Sequence, residues 1–325
     1  MNLSLEAVRA AADRIHGRAV RTPLLEAHAL STATGGRIFV KPEVLQRTGS
    51  FKYRGAMSRM TLLSSEERRR GVIAFSSGNH AQGVAAAARD LGTSAVIVMP
   101  SDAPRMKLEN TRALGAEVVL YDRDTEDRAA IGQRLAEERK LVLVPPYDDQ
   151  NVMAGQGTIG LEIAADIAAL GETLDVVVTP LGGGGLAAGI ATAITAMSPR
   201  TKIYGVEPQQ FDDTKRSIAA GERVANRPGA KSICDALQVQ KPGELTFPIN
   251  RRLLSDVLTV NDDEALAAMA TAFRELKLVV EPGGAVALAA VLSNKLDVKG
   301  KIVAIVLSGG NVDAEMFDRA LKPAH

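Results

Sequence analysis

Short apolar runs alternate along this chain with stretches of helical length, and that rhythm restricts the fold more than any other feature. Runs at 37–41, 72–75, 95–99, 117–120, 141–144, 176–179, 203–206 and 302–307 have the length of strands. Between them lie helix-length patterns such as 80–91, 105–114, 127–140, 153–168 and 186–197. Strands separated by helices need crossover connections, so they pair in parallel and are covered on both faces. The chain is therefore expected to be α/β, with parallel sheets flanked by helices. Its 325 residues suit one large or two modest domains. Aromatics are only 3% and Trp is absent, so Val, Ile, Leu and Ala must fill the core. The poorly periodic stretch 221–248 is read as a loop or covering segment near a site.

Charge and composition exclude several classes of function. The net charge is +1 with both signs interspersed, which gives nucleic acid no basic face. The run Arg68-Arg69-Arg70 closes a predicted helix, where cations complement the dipole. One cysteine, Cys234, rules out an intrachain disulfide and a Cys-rich metal site, and the four histidines lack zinc-ligand spacing. Residues 1–20 fit an amphipathic helix and not a signal peptide. Residues 176–199 carry no charge, but Pro180 and four glycines interrupt them, so a strand, a loop and a helix are expected and not a membrane span. The chain reads as soluble and cytoplasmic, with a small-molecule substrate as its partner and neither nucleic acid nor membrane.

In α/β sheets ligands gather at the carboxyl ends of strands, and four clusters stand there. Gly182-Gly183-Gly184-Gly185-Leu186 follows the strand 176–179 and opens a helix, a setting that suits phosphate. Gly182, Gly184 and Ala187 also match a dinucleotide fingerprint, with Glu207 25 residues after Gly182 to hold a ribose. This segment alone does not separate NAD from another phosphate ligand. Gly49-Ser50-Phe51-Lys52 places a lysine at the predicted start of a helix, with Ser50 as N-cap. The helix dipole opposes an ammonium there, which suits an amine that must be neutral to react. Ser76-Ser77-Gly78-Asn79-His80 follows another strand, where free N–H groups could hold a carboxylate or Ser77 and Asn79 could simply cap the helix. Ser308-Gly309-Gly310-Asn311 ends the strand 302–307, where a hydroxyl could meet a ring nitrogen.

Together these clusters resemble the fold-type II pyridoxal-phosphate family, in particular its serine/threonine dehydratase and serine racemase branch. The family pairs Ser-Phe-Lys-x-Arg-Gly-Ala with Ser-Gly-Asn-His, a tetraglycine loop and Ser-Gly-Gly-Asn. All four occur here in the family order from Ser50 to Asn311, with Gly155-Gln156-Gly157-Thr158 between them. The resemblance implies a two-domain fold like that of the tryptophan synthase β chain, with the cofactor in the cleft. A small α/β domain at 65–150 would be inserted into a large cofactor-binding domain of 1–64 and 151–325. A homodimer is expected.

The resemblance also implies roles. Lys52 carries pyridoxal 5'-phosphate covalently and later moves the α-proton. Gly182, Gly183, Gly184, Gly185 and Leu186 hold the phosphate, Phe51 packs on the ring, Asn79 bonds the phenolic oxygen and Ser308 meets the pyridine nitrogen. Ser76, Ser77, Gly78, Asn79 and His80 grip the substrate carboxylate, and Ser77 faces Lys52 across the ring. Glu281 lies where relatives place an acid, without an assigned role. Glu207, Phe211 and Asp213 reproduce the spacing of a divalent-cation site, for Mg or Ca, which gives Glu207 a second reading.

The implied reaction is β-elimination from a β-hydroxy amino acid such as L-serine or L-threonine, giving a 2-oxo acid and ammonia. Serine racemase and 3-hydroxyaspartate dehydratase are the alternatives within the family, and an NAD-dependent oxidoreductase the remote one. Tyr147 stands where racemases carry Asn, which favours elimination. Cys234 and Ala236 depart from the family's Thr-Ile-Ala-Asp-Gly segment near the substrate. The chain ends shortly after Asn311, so no regulatory extension is expected.

Overall fold

Ten strands are found among the residues that the computed structural model describes, namely 3–76, 78–103, 105–122 and 125–322. They are β1 (Leu25–Glu26), β2 (Arg37–Pro42), β3 (Val72–Phe75), β4 (Ala95–Pro100) and β5 (Glu117–Tyr121), followed by β6 (Val142–Leu143), β7 (Val176–Pro180), β8 (Lys202–Pro208), β9 (Asp256–Val260) and β10 (Ile302–Leu307). They form a six-stranded sheet in the order β1-β2-β10-β7-β8-β9 and a four-stranded sheet in the order β5-β4-β3-β6. Every pairing is parallel except that of β1 on β2. The α/β architecture expected from the sequence is thus present.

The core follows from the two-residue period of a strand. In the six-stranded sheet Val303, Ile305 and Leu307 of β10 enter one core together with Val176 and Val178 of β7. The alternate residues Ala304, Val306 and Val177 enter the core on the opposite face. A strand buried on both sides reads as an unbroken apolar run, and hence these were visible in the sequence. The helix Pro282–Leu292 lies in the first of these cores, and ten of its eleven residues are buried. Its Ala, Val and Leu content leaves it no polar face.

The N-terminal helix Leu5–Ile15 buries Val8, Ala11 and Ile15, as an amphipathic helix should. The helix Ser65–Arg70 opens with a Ser64–Glu67 capping box and closes on the three arginines. Two strands escaped the sequence reading. Both lie at sheet edges, β1 with two half-buried residues and β9 with a mixed burial pattern, so neither carries a full apolar run. The run at 141–144 supplies only two paired residues. No helix of the described residues is long and apolar enough to cross a membrane.

The chain leaves the six-stranded sheet after β2, builds the whole four-stranded sheet, and returns along the helix Gln150–Ala169 to β7. The helix Lys52–Met60 packs against both Asn79–Leu91 and Gln150–Ala169, so it sits where the two sheets meet. The cavity described next opens at that junction.

Candidate active site

Lys52 is the first residue of its helix, but Ser50 is not the N-cap. Ser50 is extended and buried and forms an isolated antiparallel bridge with Gly309, while Phe51 takes the cap position. The Phe51 N–H donates to the Ser308 carbonyl at 3.1 Å, which joins the lysine segment to the end of β10. Asn311 strengthens this joint by donating to the Thr48 carbonyl at 2.8 Å and to Asn79 Oδ1 at 2.7 Å. Lys52 Nζ donates to the Pro146 carbonyl at 2.7 Å and lies 5.1 Å from the centre of the Phe51 ring. Burial drives its pKa from the ordinary 10.5 to about 8, with Glu281 acting in the opposite sense. Desolvation therefore favours the neutral amine.

The second cluster follows β3. Gly78 is the cap of the helix Asn79–Leu91 and no side chain of the described residues caps it, so the plain capping role for Asn79 is not realised. Ser77 lies outside the described residues. The Gly78 N–H donates to Ser76 Oγ at 3.2 Å. Asn79 donates through Nδ2 to Glu281 Oε1 and is buried. His80 Nε2 lies 2.8 Å from the Val144 carbonyl, which can only accept, so that nitrogen carries the hydrogen. Nδ1 has no hydrogen-bond partner among the described residues. Burial first, and then the charge of Lys52, push this imidazole down to about 3, so it stays neutral.

The glycine loop runs from β7 into the helix Gly185–Met197. Gly184 has φ +91°, a conformation that L side chains rarely adopt. The Gly183 carbonyl accepts from Thr246 Oγ1 at 2.7 Å and the Gly184 carbonyl from Asn250 Nδ2 at 3.1 Å. Asp148 caps the helix that carries both, accepting from the N–H groups of Glu244, Leu245 and Thr246. With its carbonyls tied back, the loop presents the N–H groups of a helix start, which have no intrahelical acceptor. That is a cradle for an anion. A Cβ on Gly183 would stand 2.4 Å from the Tyr147 ring, so the fit is close.

All three clusters, with Ser308 and Glu281, line one cavity of about 1070 Å³, counted with its open mouth. That is room for a cofactor and an amino acid together. Glycines under an anion cradle and a buried lysine of lowered pKa fit pyridoxal phosphate. Glu281 is pushed up to about 7 by burial and by Asp235, against the pull of Lys107, Asn79 and Lys52.

Among the charged residues that line the cavity, Lys107 and Arg128 were missed in the sequence. Lys107 is buried and pairs with Asp235 at 2.6 Å, and Arg128 lies 6.0 Å over the Phe75 ring. Lys107 had a readable signal, because it too is a lysine in the first turn of a helix after a strand.

Glu207 and Asp213 lie away from this cavity. Glu207 is fully buried, and its two oxygens accept from the N–H groups of Thr214 and Lys215, both at 3.0 Å. It is thus committed to the start of the helix Asp213–Ala220 and does not face the glycine loop as a ribose ligand would. Asp213 accepts from Asn226 at 2.6 Å through Oδ1, while Oδ2 is buried without a partner among the described residues. Burial, aided by Asp213, raises Glu207 to about 8, and burial raises Asp213 to about 7. Two buried carboxylates with one orphaned oxygen fit a cation, although no group of three or more His, Cys, Asp or Glu gathers among the described residues.

Comparison with known proteins agrees with this geometry. Residues 16–309 match the family model described as pyridoxal-phosphate dependent enzyme. An L-threo-3-hydroxyaspartate ammonia-lyase from Pseudomonas sp. is 45% identical over 96% of this chain and 96% of its own. An L-threonine ammonia-lyase from Thermotoga maritima is 44% identical over 98% of this chain and 78% of its own. Maize serine racemase superposes with a TM-score of 0.92 at 35% identity, covering 99% of this chain and 97% of that one. On a match that spans most of its length, and with the lysine and glycine loop facing one cavity, this chain belongs to the pyridoxal-phosphate-dependent enzyme family.

Proposed function

We propose that this protein is a hydroxy-amino-acid ammonia-lyase, which converts a substrate such as L-serine, L-threonine or 3-hydroxyaspartate to a 2-oxo acid and ammonia. One observation carries the reading: a buried lysine of lowered pKa opens on the same cavity as an anion cradle and a helix-start turn. The bound cofactor supplies the electron sink that acidifies the α-carbon. Gly182 to Leu186 would hold its phosphate, Phe51 and Asn79 its ring and phenolic oxygen, and Ser308 its ring nitrogen. The turn Ser76 to His80 would orient the substrate carboxylate. Lys52, neutral when freed, would take the α-proton and, as the ammonium, give a proton to the β-hydroxyl, which would leave as water. The names of the ammonia-lyase relatives support this assignment.

Racemisation needs a second proton donor on the opposite face, for which Ser77 is our candidate. Tyr147 against the glycine loop and the neutral hydroxyl of Ser308 both favour elimination. More 2-oxo acid than inverted amino acid is therefore expected from each L-β-hydroxy substrate. Chiral chromatography beside a coupled pyruvate assay with serine measures both channels, and racemised serine in excess would make racemase the better name. Ammonia release from serine, threonine and both 3-hydroxyaspartate diastereomers ranks the substrates.

The same reading includes a Mg or Ca ion on Glu207, Asp213 and the Phe211 carbonyl. A ligand of the folded state stabilises it, so EDTA should lower the melting temperature and Mg or Ca should restore it. An identical response to chelator in the Glu207→Gln variant would remove the site from the proposal. We also take the protein to be a cytoplasmic homodimer. Residues 65–150 are taken as the inserted domain, since β3 to β6 all fall within them.

A further inference from the structure

Lys107 and Asp235 meet across the cavity. Lys107 is the third residue of the helix Arg105–Ala113, which follows β4 of the four-stranded sheet. Asp235 begins the short turn Asp235–Leu237, which lies against Gly182 and Gly283 on the side of the six-stranded sheet. The pair is unequal: the lysine side chain is 6% exposed and the aspartate 44%. Both line the cavity, and the acid that holds the ammonium is the more exposed of the two.

An ammonium has three donors in water-like geometry. Among the described residues, the Lys107 ammonium makes one hydrogen bond, to Asp235 Oδ2 at 2.6 Å. Its Nζ also lies 3.4 Å from the point where a Cβ on Gly78 would stand. The remaining donors are therefore beside the turn at the start of the helix Asn79–Leu91. Burial works against the charge, but Asp235 and then Glu281 outweigh it, so Lys107 stays an ammonium with its pKa raised. A buried cation with donors to spare, next to a helix N-terminus, is a strong partner for a carboxylate.

We propose that the Lys107 ammonium binds the α-carboxylate of the amino-acid substrate at Gly78 and that Asp235 holds it in place for that purpose. This rests on the reading that the turn Ser76 to His80 receives that carboxylate. Lys107 would add a point charge to the N–H dipoles at the start of that helix.

The test compares two ligands of the cofactor-loaded enzyme, L-serine and ethanolamine, which share amine and hydroxyl and differ in the carboxylate. Binding of each is followed through the visible absorbance of the lysine-bound cofactor. Lys107→Met should weaken L-serine by about tenfold or more, the worth of one hydrogen bond between charged groups, and leave ethanolamine within about twofold of wild type. Lys107→Arg, which keeps the charge, should recover part of the loss. Asp235→Asn should weaken L-serine less than Lys107→Met does. Equal weakening of both ligands would mean that Lys107 only supports the structure, and unchanged serine binding would mean that it makes no contact; either overturns the proposal. Should the methionine variant not fold, Lys107→Gln is read by the same criteria. A loaded wild-type enzyme that responds to no hydroxy amino acid would instead sink the ammonia-lyase reading itself.

Discussion

Replacement of Lys52 with alanine is expected to remove turnover, by at least about three orders of magnitude, and to leave the fold standing. The loss combines the covalent anchor of the cofactor with the base that moves the α-proton, and base catalysis alone contributes about 10²–10⁴-fold. The fold should survive because Lys52 opens its helix and its recorded hydrogen bond is to the Pro146 carbonyl, while alanine is a good helix former. Circular dichroism with an ammonia-release assay reads both halves of the expectation. Borohydride treatment of the loaded wild type, followed by peptide mapping, should place the pyridoxyl label on Lys52. Activity near that of the wild type in Lys52→Ala would defeat the whole assignment. The lowered pKa adds a sign: the amine is neutral above it. Capture of the cofactor by stripped protein should therefore accelerate with pH through about 8 and not near 10.5.

Arg54→Met should cost about 3–5 kcal/mol of stability, the scale for breaking a buried ion pair by removing one partner. Arg54 is 1% exposed and donates to both oxygens of Glu43, at 2.8 Å each, and to both oxygens of Glu162, at 2.6 and 2.9 Å. Lys41, also fully buried, completes the group by donating to Glu162 at 2.6 Å. Two cations thus balance two carboxylates behind the helix that carries Lys52. Without Arg54, Glu43 keeps the Thr22 hydroxyl at 2.6 Å but loses its ion pair. Chemical denaturation measures the loss, and a change below about 1 kcal/mol would show that apolar packing serves as well. Arg54→Lys should recover only part, because lysine lacks the planar fork that spans two carboxylates.

Much of this architecture could be read before any coordinates, and the reasons are specific. Strands such as Ile302–Leu307 are buried on both faces, so their apolar runs are continuous and their ends locate the cavity. The edge strand Asp256–Val260 has no such run and went unread. Ser50 looked like a cap because serine often is one, but its backbone is drawn into a bridge with Gly309, a contact across more than 250 residues that local chemistry does not announce. Glu207 admitted two readings, and only the N–H groups of Thr214 and Lys215 turn it away from the glycine loop. The dipole argument singled out Lys52, and burial is the largest cause of its lowered pKa. Lys107 obeyed the same rule and was passed over, because its partner Asp235 lies 128 residues away.

Tyr147 and the glycine loop also restrict each other's evolution. The obstacle to a side chain at 183 is the aromatic ring itself, whereas at 185 it is the Cβ and main chain of Tyr147, and at 184 the positive φ together with Thr246 and Asn250. A smaller residue at 147 would therefore make room for alanine at 183 and not at 184 or 185. Tyr147→Ala should rescue Gly183→Ala but not Gly185→Ala, so an exchange at 147 opens a mutational path at 183 that stays closed at 184 and 185.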